Sequence, residues 1–191
     1  CTALETAQVL AGDCGISATI STTSPNCFGE ANGTATVDLT GGNGPFTYEW
    51  SSNGSGQTET NLAAGNYTVT VTDNNGCTIS GQAAVVDPPV LTLAVDNVVN
   101  TACANQSNGS ATVVAGGGTG NISIAWNTIN QTGPTATGLE PGTYTAVATD
   151  ANGCTTSVSA TVQALDTESP VIVNTPVTAP LGNTGSVSLS V

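Results

Sequence analysis

Cysteine and carboxylate are the side chains here with chemistry to offer. The 191-residue chain has six cysteines and thirteen Asp or Glu, and it lacks lysine, arginine, histidine and methionine. Two of the cysteines end one recurrent acidic turn, "DNNGC" at 73–77 and "DANGC" at 150–154. That pattern could serve as a calcium loop, a disulfide staple or a bare hairpin turn. Calcium needs six or more oxygens, several of them anionic, and each turn offers one carboxylate. An Asn-Gly step instead supplies residues that tolerate positive φ, and Asp73 or Asp150 can accept backbone N–H bonds within the turn. We read a structural turn with no metal. Zinc fits poorly too, because no Cys-x-x-Cys pair and no histidine is present.

The elements that must position these turns come in two copies. "CFGEANGTATVDLTGG" (27–42) aligns with "CANQSNGSATVVAGGG" (103–118), "PFTYEW" (45–50) with "NISIAW" (121–126), and "LAAGNYTVTVTDNNGC" (62–77) with "LEPGTYTAVATDANGC" (139–154). The offset is 76 at Cys27/Cys103 and Trp50/Trp126 and 77 at Tyr67/Tyr144 and Cys77/Cys154, so one residue slips in the loop between. In "TATVDLT", Ala35, Val37 and Leu39 alternate with polar residues, the period of a half-buried strand. Strand-like runs about ten residues apart, with Gly, Asn and Pro between, predict antiparallel sandwiches. Leu-x-x-Gly-x-Tyr before a strand is the arrangement of a tyrosine corner. The expectation is all-β: tandem immunoglobulin-like antiparallel β-sandwiches in a rod-like arrangement, with Trp50, Tyr67, Trp126 and Tyr144 in the structural core.

Cys27 and Cys77 flank one copy, and Cys103 and Cys154 flank the other. Six cysteines allow fifteen pairings. The repeat favours Cys27–Cys77 and Cys103–Cys154, which leaves Cys1–Cys14. An even count with this symmetry points to an oxidising compartment outside the cytosol.

The ordered motifs (Cys, then Asn-Gly-(Thr/Ser)-Ala-Thr-Val, Gly-Gly, aromatic-x-Trp, Leu-x-x-Gly-x-Tyr and Asp-x-Asn-Gly-Cys) resemble the SprB-type repeat over about 24–88 and 100–165. Copy two departs at "CANQSNG" and "ISIAW". Such repeats occur in very large surface adhesins and filament proteins of the Bacteroidetes, including gliding-motility adhesins exported by the type IX system. The resemblance implies extracellular structural or adhesive work and carries no catalytic residue.

Charge narrows function further. The formal net charge is −13, and without a cation the chain has nothing to contact phosphate or an anionic membrane surface. No apolar run approaches the roughly 20 residues of a membrane span. The usual general bases and oxyanion clamps are missing, so neither an enzyme nor a cofactor is expected. The expected domains are an N-terminal segment, 1–23, belonging to a composite or neighbouring β-domain, repeats at 24–89 and 90–165, and C-terminal strands at 166–191. Val187, Leu189 and Val191 form one apolar face there, and we expect it to pair head to tail with the next unit. The partners expected are thus neighbouring copies or adjacent domains of the same protein, head to tail, and surface glycans or substratum, with no nucleic acid and no membrane insertion. The competing expectation is an extracellular carbohydrate- or protein-binding module.

Overall fold

Threonine alternating with valine, alanine or isoleucine dictates the strands, because β-branched side chains suit extended backbone and a period of two sends one set inward. The computed structural model describes residues 2–6 and 15–166. Its first seven strands are β1 (Thr2–Thr6), β2 (Ile16–Thr23), β3 (Gly33–Gly41), β4 (Thr47–Trp50), β5 (Thr58–Leu62), β6 (Gly65–Thr72) and β7 (Thr78–Val85). Then follow β8 (Thr92–Val99), β9 (Thr101–Cys103), β10 (Gly109–Gly116), β11 (Ser123–Trp126) and β12 (Gln131–Thr132). The last four are β13 (Thr135–Leu139), β14 (Gly142–Thr149), β15 (Thr155–Val162) and β16 (Ala164–Asp166). No helix occurs among the described residues.

Two immunoglobulin-like sandwiches result. In the first, a sheet ordered β1-β2-β3-β5 packs on a sheet ordered β4-β6-β7. Its core joins Ile20, Ala35 and Val37 of one sheet to Trp50, Val69, Val71 and Ile79 of the other. In the second, β13-β10-β8 packs on β12-β11-β14-β15 around Trp126, Val113, Leu139 and Val162. The short β16 pairs in parallel with β9, and the other strand pairs are antiparallel.

The N-terminal boundary needs correction. Residues 16–23 are not part of a composite or neighbouring domain: β2 pairs with β3 from Ile16 opposite Gly41 to Thr23 opposite Thr34. Ile16 and Ile20 are buried in the core of their own repeat, so they need no cover from a following unit. The reason is alternation: "ISATIST" carries the same two-residue period as β3 and completes its sheet. Cys1, Cys14, Val187, Leu189 and Val191 lie outside the described residues.

Copy two differs at the strand equivalent to β2. The β8–β10 register shifts between Thr112 and Val113, because Thr112 faces Asn97 while Val113 faces Val95. Asp96 is the extra residue, and it is exposed where the first repeat buries Ile20. A bulge lets the strand carry a carboxylate without placing it in the core.

With no basic side chain, the outer faces rely on hydroxyl ladders. Thr23 and Thr34 share a hydrogen bond of 2.7 Å and Thr36 and Thr58 one of 3.0 Å. The second repeat places Thr112 against Thr135 at 3.1 Å, Thr143 against Thr161 at 3.1 Å and Thr145 against Ser159 at 3.0 Å. Each such cross-strand pair contributes about 0.2–1 kcal/mol.

Glycine is required where β3 and β10 begin. A Cβ on Gly33 would lie 2.9 Å from the Leu62 and Thr23 carbonyls and from Val85; on Gly109 it would lie 2.7 Å from Val162 and 2.9 Å from the Leu139 carbonyl. Backbone on two sides cannot yield cheaply. We predict that Gly33→Ala destabilises the first sandwich by about 1–3 kcal/mol, the usual cost of overpacking. Urea unfolding followed by Trp50 fluorescence checks this, and an unchanged midpoint refutes it.

Candidate functional site

The recurrent turn is a hairpin loop with a carboxylate at its centre. In the β6–β7 loop, Asp73 N–H donates to Cys77 O at 2.9 Å, and Gly76 N–H donates to Asp73 O at 3.0 Å. Of the Asn-Gly pair, only glycine takes positive φ, 82° at Gly76 and 85° at Gly153. Asp73 Oδ1 accepts the N–H groups of Asn75 and Cys77, both at 2.9 Å. Its Oδ2 reaches across to accept Asn43 N–H at 3.2 Å, tying the hairpin to the loop after β3. Asp150 repeats this with Asn152 (3.0 Å), Cys154 (2.9 Å) and Thr119 (2.8 Å). The backbone N–H of Cys77 holds the Asp73 carboxyl below its ordinary value of 3.8, against an opposing push from burial. Thr119 N–H leads the same effect at Asp150. Among the described residues, no group of three or more potential ligands converges on a metal position.

These turns share an end of the sandwich with the chain's entry. Asp73 binds the loop just beyond Gly41, the last residue of β3, and a Cβ on Gly41 would collide with Gly15 O. Likewise Gly118 N–H donates to Pro89 O at 3.2 Å where the chain enters the second repeat. Cys27 and Cys103 instead precede Gly33 and Gly109, the first residues of β3 and β10. The chain leaves at that end too, since Val85 and Val162 crowd those same glycines. The nine residues of β3 separate the two ends by about 27 Å.

That separation overturns the pairing expected within each repeat. Neither Cys27–Cys77 nor Cys103–Cys154 forms. A disulfide joins Cys27 of the first repeat to Cys154 of the second, 127 residues apart in sequence and 5.6 Å apart between Cα atoms. Cys103 is a free, exposed thiol. Cys77 is disulfide-bonded, its partner lying outside the described residues. In the chain-entropy picture, closing a loop this long contributes roughly 5 kcal/mol, and here it constrains the joint between domains.

Neighbouring polar groups complete the joint. Asn152 Nδ2 donates to Asn26 O at 3.0 Å across the two repeats, and Gly29 N–H donates to the linker carboxylate Asp87 at 3.3 Å. A cleft of about 640 Å³ opens beside them, lined by Thr22, Pro25, Asn26, Asp87, Thr119 and Asn152 among others. Asn152 reads in the sequence only as half of an Asn-Gly step, Asn26 and Asp87 carry no signal of their own, and only the stacking of the repeats brings the three together. The expected core residues sit as follows. Trp50 and Trp126 are buried and donate from Nε1 to Gly56 O (2.8 Å) and Gly133 O (3.2 Å). Tyr67 and Tyr144 donate to Ala63 O (3.0 Å) and Glu140 O (2.9 Å), closing tyrosine corners.

Two predictions follow from this geometry. Asp73 and Asp150 have depressed folded values, so the stability they contribute is complete above the unfolded value of 3.8 and is lost as pH falls through the lower folded value. Melting temperature should show no loss from these groups between pH 7 and 5, then decline below about pH 4. In Asp73→Asn/Asp150→Asn that acid limb should flatten, and an unaltered limb counts against their role. For the joint, unreduced peptide mapping should recover Cys27 linked to Cys154, using an acid-side protease because trypsin has no Lys or Arg to cut after. Recovery of a Cys27–Cys77 peptide would falsify the joint.

The chain is similar to known proteins in sequence and in fold. The SprB repeat family matches residues 19–55 and 95–131. Both matches begin inside the strand preceding the lead-in cysteine, β2 or β8, in agreement with the corrected boundary. No curated protein matches the sequence. Among solved structures, the three N-terminal domains of the bacteriophage RB49 highly immunogenic outer capsid protein (Hoc) are similar, at 16% identity and a TM-score of 0.48. The alignment covers 78% of this chain and 59% of that one, so the chain spans about three-fifths of that structure. Two segments of the chain are thus similar to the SprB repeat, and each lies within its own β-sandwich.

Proposed function

We propose that this chain is a structural segment of an extracellular surface filament or adhesin, in which sandwiches join head to tail through disulfide-clasped joints. One observation carries the reading: Cys154, at the entry end of the second repeat, is bonded to Cys27, at the exit end of the first. A joint of that polarity can be repeated without limit, and open repetition of one contact makes a fibre. SprB repeats belong to cell-surface proteins, which agrees with the disulfide and with an oxidising location. The threonine-ladder faces and the lack of any trypsin site suit a polymer exposed to proteases. Neighbouring repeats of the same protein are then its principal partners.

The cleft at the joint supports a second reading, a module binding a carbohydrate or protein. Its lining sets Pro25, Val86, Pro88 and Pro89 beside amides, hydroxyls and the single carboxylate of Asp87, a mixed and cation-free surface that suits a sugar better than an anion. Ligand pockets do favour domain interfaces.

Immunogold electron microscopy on intact producing cells tests the structural reading. Antibody against the repeats should decorate extended material beyond the envelope without permeabilisation. Label confined to the cell interior refutes a surface role, and discrete, unconnected particles outside the envelope favour the binding module.

A further inference from the structure

We propose that Cys103 is the outgoing half of another clasp, whose partner is the cysteine closing an Asp-x-Asn-Gly turn on a further repeat joined behind Asp166. This rests on the head-to-tail reading above and names the surface and partner through which the array continues.

An exposed thiol carries no such meaning alone. Here the molecule contains its own comparison, because Cys27 is the duplicate of Cys103 and is bonded to such a turn. The two cysteines share two contacts, although Cys103 ends the short strand β9 and Cys27 lies in a turn. Glu30 N–H donates to Cys27 O at 3.1 Å, and Gln106 N–H donates to Cys103 O at 3.3 Å. Asn32 Nδ2 donates to Glu30 Oε2 at 3.0 Å, and Asn108 Nδ2 donates to Gln106 Oε1 at 3.3 Å. Each loop thus holds its cysteine at the lead-in to the strand that follows.

The chain also exits at the same place in both repeats. Leaving the first, it passes Cys27 with Asp87 accepting Gly29 N–H, then enters the second repeat beside the turn that bears Cys154. Leaving the second, it forms β16, which pairs in parallel with β9 and sets Asp166 directly opposite Cys103. Thr101, fully buried, fastens that exit: its N–H donates to Gln163 O at 3.0 Å and its Oγ1 donates to Cys103 O at 2.9 Å. A repeat attached behind Asp166 therefore starts within reach of Cys103, as the second repeat starts within reach of Cys27.

Tethering selects this occupant over a second copy. In a second copy both turn cysteines, Cys77 and Cys154, are already in disulfides. A repeat attached to the same chain presents its turn at the high effective concentration of an intramolecular encounter. Bond formation proceeds by exchange with a small-molecule disulfide. The Cys103 thiolate attacks it, releasing one thiolate and leaving a mixed disulfide; the turn cysteine's thiolate then displaces the second. Two protein thiols lose two electrons and two protons, and one small disulfide becomes two thiols.

The test compares the 191-residue chain with residues 1–166 followed directly by a second copy of residues 88–166. Both closed cores lie within 15–166, and the appended copy carries Cys103→Ser so that it adds only a turn cysteine. Both chains are equilibrated with reduced and oxidised glutathione, labelled with maleimide and mapped without reduction. In the 191-residue chain Cys103 should label. In the extended chain that labelling should be lost, with Cys103 joined to the appended Cys154; changing that appended cysteine to serine should restore it. Cys103 that still labels in the extended chain, or that pairs elsewhere, including with Cys103 of another molecule, overturns the proposal. The Cys27–Cys154 peptide in the same map separates the two failures. Its absence faults the joint itself and with it the head-to-tail reading, whereas its presence beside an open Cys103 faults only the outgoing clasp.

Discussion

A cysteine ahead of β3 and a cysteine behind the β6–β7 turn stand at opposite ends of one sandwich, held apart by a strand of nine residues. No rearrangement compatible with the core brings them together, since a disulfide tolerates Cα separations of only about 4.4–6.8 Å. The two positions can meet only between domains, when the entry end of one repeat abuts the exit end of the one before. The polarity of the joint therefore follows from strand direction, and the linker must be short enough to hold the ends in contact. The proline pair at 88–89 suits that, because it stiffens the few residues available.

The absence of cations shapes everything else. Thirteen carboxylates without a side-chain counter-charge would repel one another if crowded. Among the described residues, the structure gives the two buried ones, Asp73 and Asp150, backbone partners. Asp73 and Asp150 are buried, yet each accepts three N–H donors. Peptide dipoles thus take the part that lysine or arginine plays in other proteins. The same bonds fasten the hairpin to the loop after β3 or β10, so the turn that presents the cysteine is rigid before any disulfide forms. Threonine ladders do the equivalent work on the outer faces, where cross-strand hydroxyl pairs replace ion pairs.

Much of this is legible in the sequence because it is local. Alternation in "TATVDLT" marks β3, the Leu-x-x-Gly-x-Tyr spacing marks the tyrosine corners, and one carboxylate per turn marks a hairpin in place of a cation loop. What escapes is the relation between distant segments. Repeat symmetry requires that Cys27 and Cys103 be treated alike, but it is satisfied equally by bonds inside each repeat and by bonds from one repeat to the next. Strand length breaks the tie, and it depends on which end of β3 each loop occupies, a three-dimensional fact. The boundary at residue 24 erred for a related reason. "ISATIST" lacks the motif that marks the repeat's start, and copy two blurs its counterpart with a bulge at Asp96.

The clasp also changes how the pair of domains transmits tension. Along an open chain, force entering near Gly15 and leaving near Asp166 would pass through both sandwiches, and unfolding them would release their whole contour. The Cys27–Cys154 bond closes a loop between positions 127 residues apart, equivalent to about 430 Å of extended chain. That length is withdrawn from the load path. Tension runs from the β2 region through Cys27 to Cys154 and out along β15 and β16, while β3 to β14 lie inside the closed loop. Under such tension the covalent joint, and not the cores between β3 and β14, sets how far the pair of domains extends. A chain that cannot form ion pairs gains mechanical integrity from where its cysteines stand.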